Sequence, residues 1–393
     1  MSPQLNGSPA KAANAPSSVS RLPQDAPVDV RKARQSLMDT ALQLFQLAAC
    51  PSEFVPNLAP GYQYVACLTW LLRFDIFHLV PAPGTVSYRD LAAAASKLAN
   101  TGAAIPKGRL KSIVRMAMTA GLFREPKPDR VGHSATSALL ARDADVHAWA
   151  FSLCTSSAPT ALSMTAAHDR FTPASVAKSE TAFNVAFGTE LPFFDWLAQN
   201  PAKRERFAGY MRNVTTSEGV HVKHLVNGHP WADLGSGALV VDAYPTLRFV
   251  VQDLPDNANA GRQAAEATFP DHISSRLTFQ GHDFTQPQPM AGADVYLLRM
   301  ILHDWPDHVA VTIVKNLLLV MDTVLPAPGQ VPSSVERIVR VRDLTMMQAF
   351  NSHERDLEQW TTLLAAADGR LRLRRVIEPF GSAMALLEVE LDG

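Results

Sequence analysis

The spacing of apolar residues divides the chain into two regimes that meet near His229. Upstream the period is helical. Leu110, Ile113, Val114, Ala117 and Met118 fall on one face of a helix for which Gly121 is the natural stop. The Ala-rich run Tyr88–Leu98 predicts a helix before it, and Leu122–Val131, bent at Pro126 and Pro128, predicts a wing after it. The segment Tyr62–Leu79 is apolar nearly all round, as in a helix covered on both sides, and full cover calls for a second subunit. More helices, including Pro192–Leu197 and Ala202–Met211, fill residues 140–225. Residues 1–30, rich in Ser, Pro, Ala and Asn, bring too little apolar surface to offset the entropy of ordering and predict a disordered tail.

Downstream of His229 short strand-like runs alternate with helical stretches: Pro230–Leu234, Arg248–Gln252, Arg276–Phe279, Ala293–Leu298 and Leu317–Thr323. This is the signature of a parallel, doubly wound sheet, hence an α/β, Rossmann-like fold. Leu371–Ile377 and Ser382–Glu390, separated by Glu378-Pro379-Phe380-Gly381, predict an antiparallel hairpin at the sheet edge. The expected division is a tail over 1–30 and a helical, winged-helix-like dimerisation domain over 31–140. A helical connector with substrate-pocket helices follows over 141–228, and the α/β domain occupies 229–393.

Composition narrows the function classes. A chain of 393 residues, 47% hydrophobic, fits two packed domains. Lys+Arg 36 against Asp+Glu 37 leaves a net charge of -1, with no long-range field to collect nucleic acid or acidic lipid. Lys107, Arg109, Lys111 and Arg115 are only a modest basic set on the second helix of the helix-turn-helix-like unit, so packing and dimerisation are favoured over DNA binding. Cys50, Cys67 and Cys154 form neither a disulfide framework nor a metal-binding pair, which predicts a reducing, cytoplasmic setting and no metal site. The longest apolar stretch, Tyr64–Val80, is interrupted by Arg73, Asp75 and His78; neither a signal peptide nor a membrane span is expected.

Candidate chemistry collects at the ends of the predicted strands. Asp233-Leu234-Gly235-Ser236-Gly237 places glycines at a strand-to-helix turn, where the backbone can approach a ligand closely. Asp253 ends the second strand, where a carboxylate accepts from ribose hydroxyls; a turn-capping role is equally open there. Asp283 follows the third strand and is placed to accept from an adenine amino group. The fourth strand runs into His303-Asp304-Trp305-Pro306-Asp307, and an imidazole with an ordinary pKa of roughly 6.5 suits a general base near neutrality.

Taken together, Asp233–Gly237, Val251-Gln252-Asp253-Leu254-Pro255, His282-Asp283-Phe284, Leu298–Asp307 and Asn351-Ser352-His353-Glu354-Arg355 resemble the plant- and fungal-type O-methyltransferases of secondary metabolism, over roughly residues 35–390. The resemblance implies a class I methyltransferase domain using S-adenosyl-L-methionine. It makes His303 the catalytic base, oriented by Asp322 and Glu354. It assigns Asp233, Gly235 and Gly237 to the cofactor loop, Asp253 to the ribose, Asp283 with Phe284 to the adenine side, and Arg299 to the position beside the cofactor. Met211 matches a substrate-lining methionine, with simple helix packing as the competing reading. Methyl transfer from a sulfonium is an in-line displacement. It needs a better nucleophile than a neutral hydroxyl, which is why a base stands opposite the donor. The implied acceptor is a phenolic, polyketide-type small molecule, and the implied assembly a homodimer.

The chain departs from the family at three points. Gly237 is followed at once by Ala238-Leu239-Val240-Val241, without a third glycine and about five further residues; Lys315-Asn316 runs almost directly into Leu317; and the loop Lys97–Ile105 is expanded. A shortened glycine loop weakens the cofactor site, which opens two alternatives. One is a methyltransferase-like transcriptional co-activator of a metabolite gene cluster, nuclear and partnered by a transcription factor or nucleic acid. The sequence also resembles that branch through Leu71-Leu72-Arg73-Phe74, Ala117–Gly121 and Arg342-Asp343-Leu344. The other is a pericyclase on the same scaffold, against which the retained His303 counts. Retention of His303, Asp322 and Glu354 together favours the enzyme.

Overall fold

Periodicity alone leaves open which apolar faces find partners, and the computed structural model settles this for residues 26–99, 104–172, 175–234, 247–290, 292–314 and 319–392. They form two units, each described by itself: residues 1–162 with 197–214, and residues 163–196 with 215–393.

In the first unit the helix Lys107–Thr119 buries Leu110, Val114 and Ala117 and ends at Ala120-Gly121, where Gly121 takes φ +82°. It packs with Phe54–Arg73 and Tyr88–Ala99 around Leu71, Ile76, Phe77 and Leu91. Strands β1 (Val86–Ser87), β2 (Arg124–Lys127) and β3 (Arg130–Gly132) make a small antiparallel sheet in the order β1-β3-β2, with β2 and β3 turning back on each other at Pro128. The all-round apolar segment resolves into Phe54–Arg73 and Ile76–Leu79, broken by Asp75 at φ 54°. Only Cys67, Leu71 and Leu72 of the longer helix are buried. Phe54, Val55, Leu58 and Tyr62 stay exposed, as do Leu37, Leu44, Phe45 and Leu47 of the helix Val28–Ala48.

The second unit carries β4 (Phe249–Asp253), β5 (Leu277–Gly281), β6 (Leu297–Arg299), β7 (Leu319–Asp322), β8 (Leu371–Ile377) and β9 (Ala385–Leu391). β4 and β5 pair in parallel, Asp253 opposite Gly281. β6 and β7 are parallel, and β9 and β8 extend them antiparallel in the order β6-β7-β9-β8, so the terminal hairpin lies on the sheet edge as its alternation predicts. All four residues of β7 are buried; the helices Asp307–Val314 and Leu357–Ala367 cover it with Ile313, Val314, Trp360, Leu363 and Leu364.

The expected strand Pro230–Leu234 is a correction. Trp231–Leu234 is a 3-10 turn in which the Asp233 amide donates to the Pro230 carbonyl at 3.0 Å. The buried Trp231 explains it. Its indole donates to the Leu225 carbonyl at 3.2 Å and its ring meets His229 edge-on, which ties the segment back to the preceding helix Lys223–Gly228. Among the described residues the β4-β5 pair and the four-stranded sheet are therefore two sheets.

Candidate active site

The chain leaves β6 through Met300, a non-glycine residue at φ 56°, and closes the turn Leu302–Asp304. Such backbone costs on the order of 1–2 kcal/mol, and here it turns His303 away from the strand line into the interior. His303 Nδ1 lies 2.7 Å from Asp322 Oδ1 at the end of β7, and the His303 amide donates to Asp322 Oδ2 at 3.4 Å. The same Nδ1 is 3.5 Å from Glu354 Oε1, while Nε2 faces Asp304 Oδ1 at 3.7 Å, beyond hydrogen-bond range. His303, Asp322 and Glu354 are all at least 95% buried. Three residues remote in sequence thus converge, with two carboxylates on one imidazole nitrogen.

Each acid has its own support. Asp322 Oδ1 also accepts from the Thr323 amide at 2.9 Å. Glu354 has Arg342 Nε at 3.6 Å, and its own amide donates to Asp343. Burial disfavours charge on His303, but the adjacent Asp322 carboxylate, then Glu354 and Asp304, outweigh it and lift the imidazole well above its ordinary pKa. Burial pushes Asp322 the other way too, yet the imidazolium and the Thr323 amide hold it below the usual carboxylate range. Asp304, desolvated and flanked by acids, rises to about 6. His303, Asp322 and Glu354 offer a histidine nitrogen and two carboxylates to a metal. The 2.7 Å separation is that of a hydrogen bond, shorter than the spacing of two ligands around an ion with bonds of about 2.1 Å.

The Asn-Ser-His-Glu-Arg segment does more than supply Glu354. Asn351, left-handed at φ 50° where the helix Ser333–Phe350 ends, donates through Nδ2 to the carbonyls of Ala177 and Glu180. Arg355, 1% exposed, donates to the carbonyls of Leu302 and Trp305 and to Asp307, so it clamps both sides of the His303 turn. The loop held by Asn351 carries Lys178, whose ammonium sits 3.0 Å from the Trp305 ring centre. Close by, a cavity of about 420 Å³ is lined by Met164, His168, Phe171, Glu180, Met347 and Asn351 among others.

The remaining predicted residues sit as follows. Asp253 is exposed at the end of β4, its Oδ1 accepting from the Leu254 amide and Asn257. Asp283, two residues beyond β5, accepts from the Thr285 amide and hydroxyl, which lowers its pKa. Phe284 meets the Trp305 ring edge-on at 5.6 Å, joining the β5 end to the His303 turn. Arg299 donates to the Val220 carbonyl. Asp233 is exposed in the 3-10 turn; Gly235 and Gly237 lie outside the described residues. Met211 is half-buried on the helix Pro201–Thr216, and by the two-unit division it belongs to the first unit. Lys178 and the supporting roles of Asn351 and Arg355 were missed from the sequence. The last two lie inside a recognised motif, whereas nothing local to Lys178 marks it.

Residues 172–369 match the model of the O-methyltransferase domain family. O-methyltransferase pgmB of Aspergillus terreus is 53% identical over 99% of this chain and 92% of its own length. O-methyltransferase aoiF of Aspergillus oryzae is 44% identical over 94% and 91%. Among solved structures, LepI in complex with SAM superposes with a TM-score of 0.73 at 24% identity, over 91% of this chain and 94% of that one. The chain belongs to the O-methyltransferase family, with S-adenosylmethionine as cofactor. The matches named O-methyltransferase favour the enzyme over the co-activator and pericyclase readings. No described helix is long and apolar enough to cross a membrane.

Proposed function

We propose that this enzyme methylates a phenolic hydroxyl of a polyketide-type small molecule in secondary metabolism, with His303 as general base. The observation that carries the reading is the 2.7 Å contact between His303 Nδ1 and the buried Asp322, which leaves Nε2 as the nitrogen that takes the acceptor's proton. The acids at Nδ1 hold the ring orientation and stabilise the imidazolium that forms, the logic of other acid–histidine pairs.

Cofactor chemistry fits the residues present. Asp253 and Asp283 stand at the carboxyl ends of two adjacent parallel strands, where open α/β sheets bind nucleosides, and among the described residues each accepts from protein donors through Oδ1. Asp253 would hold the ribose and Asp283 with Phe284 the adenine side. Arg299 would lie alongside, and Asp233, Gly235 and Gly237 would line the loop at the methionine end. The cofactor, when bound, supplies an electrophilic methyl group on a cationic sulfur. The cavity beside Asn351 and Glu180 is the acceptor's place. Residues 229–393 carry the cofactor site in this arrangement. A homodimer follows from the exposed apolar faces of Val28–Ala48 and Phe54–Arg73, and the cytoplasm is its setting.

Incubation with S-adenosylmethionine and a panel of polyketide-type phenols, read by mass spectrometry, tests the reading. A product carrying one added methyl group on oxygen is expected, together with its loss in His303→Ala. Methylation confined to nitrogen or carbon acceptors would overturn it.

A further inference from the structure

Lys178 is a cation of the second unit that the reading above does not use and that lies against its catalytic turn. Its ammonium is half-buried over Trp305, which follows His303 by two residues. Among the described residues no carboxylate lies within ion-pair distance of it, and its Nζ donates no hydrogen bond to them. Its charge is felt instead by Asp304 and Asp195. Burial lowers the group to about 8, so it stays predominantly cationic at neutral pH. An ammonium has three donors and no acceptor capacity, and leaving all three unused in a half-buried place is costly unless a ligand or water takes them.

The surroundings say where that ligand stands. Asp304 faces His303 Nε2 at 3.7 Å and feels the charge of Lys178, whose ammonium rests on the ring of Trp305, the next residue after Asp304. Ser175 and Glu180, flanking Lys178 in the loop, line the cavity assigned to the acceptor and are linked to each other by a 2.5 Å hydrogen bond. Asn351 pins the loop through the Ala177 and Glu180 carbonyls, one residue before and two after Lys178. One motif thereby supports the base through Glu354 and the lysine through Asn351. The Trp305 ring offers the flat apolar side of the same region, and its cation–π contact holds the ammonium without neutralising it.

Resting on the assignment of His303 as base toward a phenol, we infer that Lys178 binds a second acceptor oxygen. It thereby selects aromatic acceptors whose reacting hydroxyl lies beside a ring carbonyl. The hydroxyl gives its proton to His303 Nε2, while the neighbouring carbonyl oxygen accepts from the Lys178 ammonium. Negative charge developing on the conjugated oxygens is then shared between the two cations. No electron or atom beyond the proton and the methyl group changes hands.

The test compares 1-hydroxyanthraquinone, whose hydroxyl flanks a carbonyl, with 1-hydroxyanthracene, which lacks it. Binding to the full chain with the cofactor product present is followed by quenching of tryptophan fluorescence, and methyl transfer is followed separately. A charge-assisted hydrogen bond predicts that the parent binds the quinone about tenfold to a hundredfold more tightly. Lys178→Met should erase that ratio and Lys178→Arg should keep most of it, a pattern that loss of loop structure alone would not give. Equal binding of the two compounds by the parent, no binding of the quinone, or an undiminished ratio in Lys178→Met overturns the inference. Should Lys178→Met not fold, Lys178→Gln takes its place with the same expectation. Preferential binding of the quinone with no methyl transfer to either compound would instead count against His303 as the base and leave Lys178 standing; transfer without preference does the reverse.

Discussion

Replacing Asp322 by Asn keeps the shape of the site and removes one charge, which makes it the sharpest probe of how His303 is set. In the parent the Asp322 carboxylate accepts from Nδ1 at 2.7 Å inside a fully buried site, and it is the main influence raising the imidazole pKa. A buried hydrogen bond to a charged group contributes about 1.5–3 kcal/mol, equivalent to roughly 10- to 200-fold in rate. Loss of the carboxylate in a serine-protease triad costs about 10⁴-fold, which marks the upper bound. Glu354 at 3.5 Å from the same nitrogen still supplies a negative charge, so the expected fall in kcat lies between, about 10²- to 10³-fold. The pH profile moves the other way. A base with a raised pKa must first lose its proton, so the parent's rate climbs with pH along a limb lying above 6.5. Asp322→Asn lowers that pKa, so its limb shifts to lower pH while its plateau drops. Pre-steady-state methyl transfer measured from pH 5 to pH 10 reads both quantities. A variant whose limb stays in place, or whose plateau matches the parent, refutes the assignment of Asp322 as the group that governs His303.

Stability should follow the same pair. The raised pKa of His303 contributes stability that is fully present below about 6.5 and is lost as pH rises through the folded value. The lowered pKa of Asp322 contributes above about 3.9 and is lost as pH falls through its folded value. Thermal melts of Asp322→Asn are therefore expected to show a flatter dependence of Tm on pH across that range than the parent. Asp253→Ala should weaken S-adenosylmethionine binding at least about tenfold by calorimetry through loss of charge-assisted hydrogen bonds, with Tm without ligand within a few degrees of the parent because Asp253 is exposed. Arg355→Met leaves the Leu302 and Trp305 carbonyls without their donor and should cost about 2–3 kcal/mol in denaturant unfolding. Asn351→Ala removes both bonds to the Lys178 loop from a left-handed residue, and is expected to raise the acceptor KM while leaving the cofactor Kd unchanged.

The parts of the fold legible in the sequence are those fixed by local spacing. The face of Leu110, Val114 and Ala117 could pack only one way, and Gly121 adopts the positive φ that ends its helix. Runs such as Phe249–Asp253 and Leu319–Asp322 are short, apolar and bounded by turns, and they became strands. Pro230–Leu234 has the same look and did not, because burying Trp231 against Leu225 and His229 outweighs the strand preference of so short a run. At the site, His303, Asp322 and Glu354 were each readable as strand-end or motif residues, and the structure shows two acids meeting one nitrogen. Lys178 was not readable. Its significance comes from a loop tied down by Asn351, 173 residues later, and from a ring supplied by Trp305, and neither contact leaves a local pattern.

The central claim, that His303 Nε2 takes the acceptor's proton, is tested most directly by single-turnover methyl transfer in His303→Ala at saturating S-adenosylmethionine. Loss of a general base predicts a rate lower by about 10²- to 10⁴-fold and a pH profile without the parent's limb, with cofactor affinity retained. A variant that transfers the methyl group within about twofold of the parent, along the same limb, would contradict the claim.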